Sequence, residues 1–343
     1  MRKIIIWFTC MIAAFSCISC GEKKQEKQKL YIYNWTYYTP DEVIKGFEEK
    51  FNAKVVYDEF ASNEEMFAKF KAGATGYDIT FPSADYTSIM IKEGMLEKID
   101  KTKIPNFKNI DPELISGIEY DQNCEYSVPY MKGASGIAVN RKLVKDYEKD
   151  MSIYLKPELK GRMTLLDDMR EVMGLALKAN GFSVNSVNPA ELDIAKNLIL
   201  KWKENILKFD AESFGKGFAS GEFWVVQGYE ENIFSELEES AKADTDFFIP
   251  KTGGPYYIDS MVILKDAKNK DLAHEFINYI HDPQTYAKFV DAFGFPSINV
   301  PARKIRTGKP VYTEEDLKNC ELKLDLGEKL EMYNKIWEDI KVN

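Results

Sequence analysis

The 343-residue chain is short of the side chains on which most enzymes and metal proteins rely. It has two His, five Cys and six Arg. His274 and His281 fall seven apart, which is not metal-ligand spacing, and are read as solvated residues of one helix. A ferric site would want several Tyr or His ligands and an anion site would want Arg; apart from Arg170, the candidate pocket segments hold no Arg. No Gly-rich phosphate loop, nucleophile elbow or zinc motif is present. The sequence therefore implies no metal and no cofactor. Basic excess is also missing: 55 Asp plus Glu against 46 Lys plus Arg give a net charge of −9, the wrong sign for a nucleic-acid binder. What the chain has in quantity is aromatic: 5 Trp, 19 Tyr and 21 Phe. On an acidic chain, aromatic faces suit a pocket that holds cations, because the ring quadrupole attracts positive charge.

The N-terminus carries the address. Arg2 and Lys3 precede an apolar run over 4–18, which falls short of the roughly 20 residues that span a bilayer. Ser19-Cys20 and the polar run Gly21 to Lys29 follow. This resembles a bacterial lipoprotein signal: 1–19 removed, Cys20 acylated, 20–29 a flexible tether. Cys17 after Ser16 is a second candidate. Cleavage before Cys20 takes the net charge from −9 to −11. It leaves Cys124 and Cys320 as the thiols free of lipid, and their pairing stays open.

Strand and helix patterns alternate, which predicts α/β architecture. Leu30–Asn34 reads as a strand. Thr39-Pro40-Asp41-Glu42 opens a helix with Thr39 as cap, and Val43, Phe47 and Phe51 form its buried stripe. Ser62–Glu65 is a capping box. Strands follow at 54–57, 78–81, 137–140, 163–166 and 258–264, and helices at 169–179 and 189–206. Lys196, Lys201 and Lys203 make an ordinary charged face on the last of these. The pattern changes at Gly133-Ala134-Ser135-Gly136 and returns after Gly253-Gly254-Pro255. We therefore expect a two-lobed fold with a hinge and an interlobe cleft, lobe 1 comprising 30–135 and 257–300 and lobe 2 comprising 136–256 and 301–343.

Several ordered segments carry a resemblance. They include Tyr33-Asn34-Trp35-Thr36-Tyr37-Tyr38, Ser62 to Met66, Tyr77-Asp78, Pro82-Ser83, Lys92 to Leu96, Asn106-Phe107 and Pro129-Tyr130. Pro157 to Gly161, Asp167 to Val172, Asp259-Ser260, Ala267 to Lys270 and Ala302 to Lys304 continue the series. Together, over residues 30–340, they resemble the spermidine/putrescine-binding proteins of polyamine ABC importers. That resemblance implies the type II periplasmic binding protein fold, each lobe a central β-sheet flanked by helices. It also implies no enzymatic step, capture of putrescine or spermidine in the cleft, and delivery to an ABC permease of the inner membrane by a lipid-anchored monomer. The alternative is the same fold binding another small cation, or serving as a polyamine sensor or surface lipoprotein.

The chemistry agrees. Each buried ammonium needs a carboxylate or carbonyl partner, and the methylenes need apolar walls. The resemblance places Trp35, Thr36, Tyr38, Ser83, Asp85, Tyr86, Asp168, Glu171, Tyr229, Tyr257, Asp259 and Phe295 around the ligand. Asp167 is expected to cap the helix while Asp168 faces the ligand. Asp259 stands out as a charge within an apolar strand. Tyr229 replaces a usual Trp, Phe295 a usual Tyr, Asp85 an aromatic and Lys323 a common Gln. Lys323 is expected at the surface or paired with Asp325. These departures suit a shorter or repositioned diamine as readily as spermidine.

Overall fold

The computed structural model describes residues 27–36 and 38–342. The signal segment, Cys20 and residues 20–26 of the tether lie outside the described residues, as does Tyr37. Two mixed sheets flanked by helices form two lobes. The first sheet holds β1 (Gln28–Trp35), β2 (Ala53–Phe60), β3 (Ile79–Thr80), β4 (Ser127–Ala134), β10 (Pro255–Ile263) and β11 (Glu321–Leu322). The second holds β5 (Gly136–Asn140), β6 (Met163–Leu165), β7 (Ile206–Phe209), β8 (Val225–Gly228) and β9 (Thr245–Phe248). Gln28 and Lys29, expected in the tether, already pair with Ala53 and Lys54. Glu321–Leu322, expected in the second lobe, pair parallel to Pro255 and Tyr256 in the first sheet.

The first core is aromatic. Phe47 packs on Phe276 at 5.1 Å between ring centroids, and Phe81 on Tyr130 at 4.9 Å. The second gathers Ile137, Met163, Leu165, Val172, Trp202 and Val225. Asp78 ties distant segments together: its carboxylate accepts from the backbone N–H groups of Tyr31, Lys268 and Asn269 and from the Asn269 side chain. Two of the segments that carry the resemblance thus meet at one side chain.

Local readings hold where the signal is local. Ser62 accepts from Glu65 N–H, and the Glu65 side chain returns to Ala61 N–H. Thr39 does not cap Asp41–Phe51: its N-cap is Pro40, without a side-chain bond. The Thr39 hydroxyl instead accepts from Asn34 and bonds Tyr130 at 2.8 Å. The helix expected to reach 206 ends at Lys203, and Ile206 begins β7. Two lysines of its charged face are engaged. Lys196 pairs with Asp339, and Lys203 donates to the carbonyls of Ile340 and Lys341, at the C-terminal end of helix Leu330–Val342, where cations suit the dipole. His274 and His281 are buried, not solvated. His274 Nε2 accepts from Asp100 N–H, and His281 stacks on Tyr286. Cys124 and Cys320 are both free thiols.

Candidate functional site

Asp259 anchors the site. It lies in β10 between Ile258 and Met261, where the pairing with β4 shifts register between Asp259 and Ser260. Such a bulge re-aims a side chain, which is how a carboxylate sits in an apolar strand. Its two oxygens accept from the Ser83 hydroxyl and the Tyr38 hydroxyl, each at 2.6 Å. Ser83 is held in turn by Asn63, which accepts from its N–H and donates to its hydroxyl. Burial pushes the Asp259 carboxyl up to about 6, against the two hydroxyl donors and the nearby Lys323 charge, which pull it down.

Rings close around this carboxylate. Trp35 donates its indole N–H to Phe81 O at 2.8 Å and meets Tyr38 edge-on at 6.4 Å. Tyr38 meets Phe295 at 6.5 Å, and Phe295 is fully buried. Tyr229, from the second lobe, meets Tyr257, from the first, at 5.8 Å. Tyr257 can lie flat on β4 because residue 133 is glycine; a Cβ there would fall 2.4 Å from its hydroxyl.

The second lobe brings Asp168 and Glu171 on the first turn of helix Met169–Ala179. The cap assignment is reversed from expectation. Asp168 is the N-cap and accepts from Glu171 N–H at 3.0 Å, while Asp167 pairs with Lys341. Asp168 still faces inward, since its charge reaches both Tyr229 and Lys323. Glu171 is fully buried. Its Oε2 accepts from Ser135, which accepts from Gln227, whose own oxygen accepts from Leu166 N–H.

Lys323 corrects the sequence reading most. It is neither at the surface nor paired with Asp325, which binds Lys92. Its ammonium sits 2.5 Å from Glu171 Oε1. Burial works against that charge, but Glu171, Asp168 and Asp85 outweigh it and hold its pKa above the ordinary value. Asp85 is pushed up by burial and held back by Lys323 and Arg170.

Two expected residues lie apart. Thr36 is exposed, and its hydroxyl donates to Phe60 O. Tyr86 turns toward Phe67, edge-on at 5.6 Å, and its hydroxyl lies against Glu64. Glu231 was missed. Its Oε2 is enclosed without a hydrogen-bond partner, its charge is felt by Tyr38, Tyr229 and Tyr257, and it feels that of Asp259. Burial raises it to about 7. The acidic Glu230-Glu231 pair beside Tyr229 was the available signal.

Rings and carboxylates from both lobes converge on one buried site, the setting in which a small solute is held. The chain belongs to the bacterial extracellular solute-binding proteins, whose family model matches residues 42–312. The spermidine/putrescine-binding periplasmic protein of Escherichia coli (strain K12) is 35% identical over 325 residues, 92% of each chain. The putrescine-binding periplasmic protein PotF of the same organism is 30% identical, covering 91% of this chain and 90% of its own. The crystal structure of the TpPotD lipoprotein of Treponema pallidum superposes with a TM-score of 0.90 at 48% identity, covering 92% of this chain and all of that one. No helix among the described residues is long and apolar enough to cross a membrane.

Proposed function

We propose that the protein captures polyamines in the interlobe cleft and hands them to an ABC permease, without a chemical step. The observation that carries this reading is the buried Asp259 carboxylate, fixed by Tyr38 and Ser83 and walled by rings from both lobes. An ionised carboxylate enclosed in this way is costly unless a cation joins it. An alkyl ammonium supplies that cation, and its methylenes fill the space between the rings. The relatives named for spermidine and putrescine support the same chemistry.

In this reading Trp35, Tyr38, Tyr229, Tyr257 and Phe295 form the box, Asp259, Ser83 and Glu231 take one ammonium, and Asp85, Asp168 and Glu171 set the charge at the far end. Thr36 and Tyr86 drop out of direct contact. The lobes divide at Ser135 and near Gly253-Gly254-Pro255, with β11 added to the first lobe, and they close on the ligand as a monomer. The permease recognises the closed form. Acylation at Cys20 holds the protein at the membrane and raises its local concentration there.

A thermal-shift panel with putrescine, cadaverine, spermidine and spermine tests the reading. At least one should raise the melting temperature in a concentration-dependent way, and an unmoved transition for all four overturns it. Loss of polyamine uptake on deletion of the gene would distinguish an importer subunit from a sensor.

A further inference from the structure

The Lys323–Glu171 pair joins the two lobes. Lys323 directly follows β11, and its N–H donates to Tyr256 O at 3.0 Å, extending the pairing of the first sheet. Glu171 stands in the first turn of a helix of the second lobe. Glu171 exposes none of its side chain and Lys323 only 14%. Both Glu171 oxygens are committed, one to Lys323 and one to Ser135. Two other carboxylates of the site differ: Glu231 Oε2 has no hydrogen-bond partner, and the Asp259 carboxylate meets hydroxyls and no ammonium within bonding distance. Glu171 thus holds an ammonium of the chain itself at bonding distance, whereas Asp259 holds hydroxyls.

We propose that Lys323 supplies from the chain itself the cation that one ammonium of a triamine would bring to Glu171, and so restricts the site to diamines. The inference rests on the polyamine reading above. A triamine that reached for Glu171 would have to displace Lys323 and leave its ammonium buried without that partner, which is unfavourable. A diamine anchored at Asp259 and Glu231 extends toward Asp85 and Asp168 without disturbing the pair. Lys323 is then a specificity residue: it excludes by occupying a position, the repulsive element that selective sites combine with attraction.

Calorimetric titration of the purified protein with putrescine and spermidine tests this in the wild type, Lys323→Gln and Lys323→Met. The wild type should bind putrescine more tightly than spermidine. Each variant should raise spermidine affinity relative to putrescine by tenfold or more, and adding Glu171→Gln to Lys323→Gln should abolish the gain. Lys323→Met removes the charge by a second route, so the comparison does not depend on one variant folding. Wild-type binding with a spermidine-to-putrescine ratio that moves by less than twofold in both variants overturns the proposal and leaves the polyamine reading standing. A wild-type preference for spermidine overturns it equally. Failure of the wild type to bind either amine overturns the polyamine reading itself.

Discussion

At the scale of single residues, Asp259 and Glu231 decide how the site responds to pH. Their carboxyls lie near 6 and near 7 because burial disfavours the charged form. A bound ammonium favours the ionised form and displaces these protons. Polyamine affinity should therefore rise with pH from about 5 and level off above about 8. Calorimetry in two buffers of different ionisation heat, at pH 6, should register proton release on binding. Asp259→Asn removes the charge and replaces an acceptor oxygen with a donor, so one of the two hydroxyls loses its acceptor. We expect polyamine affinity to fall at least a hundredfold, about 2.8 kcal/mol, in the same titration. That Asp259 would need buried partners was legible, because a charge in an apolar strand demands them. That Lys323 pairs with Glu171 was not legible: 152 residues separate them, and only the pairing of β11 with β10 brings them together.

At the scale of elements, Gly253 holds the return crossing in place. Its φ is +80°, and a Cβ there would fall 1.9 Å from Asn319 O. The tight approach lets Glu321 N–H reach Gly254 O and seats β11 beside β10. Gly253→Ala should cost at least ~1–3 kcal/mol from the strained backbone alone. Its loss in urea denaturation should be accompanied by weaker discrimination between amines, since Lys323 rides on β11. Elements with self-contained signals, such as the Ser62 cap and the helix Met169–Ala179, could be read from the chain. Thr39 misled because its hydroxyl has better partners in Asn34 and Tyr130, which no local window contains. The two His misled for a related reason. Amphipathic spacing shows that a helix has a buried face, and whether a particular His lies on it depends on the neighbouring segment.

At the scale of the whole molecule, acid stability should reflect two opposed sets of groups. His281 is buried, and its pKa is lowered to about 4 by that burial. Its folded pKa lies below the unfolded value, so its contribution to stability is complete above about 6.5 and is lost as pH falls toward 4. Asp259 and Glu231 run the other way. Their folded pKa values are raised, so they favour the fold near pH 4, and this contribution is lost as pH rises through 6 to 7. Melting temperatures followed from pH 4 to 8 should show the ligand-free protein losing part of its stability toward neutrality, with putrescine restoring it. His281→Phe removes the opposed contribution and should steepen that loss between pH 4 and 6.5.

Between β4, which ends at Ala134, and β5, which starts at Gly136, a single residue separates the two sheets. That residue is Ser135, whose hydroxyl is fixed to Glu171. So short a connection leaves the two sheets little freedom to slide apart at this crossing. Ser135 also holds the carboxylate that pairs with Lys323, so this crossing and the Glu171–Lys323 pair share one side chain. In the capture reading proposed above, closure of the lobes on a ligand would turn at this crossing and bear directly on that pair.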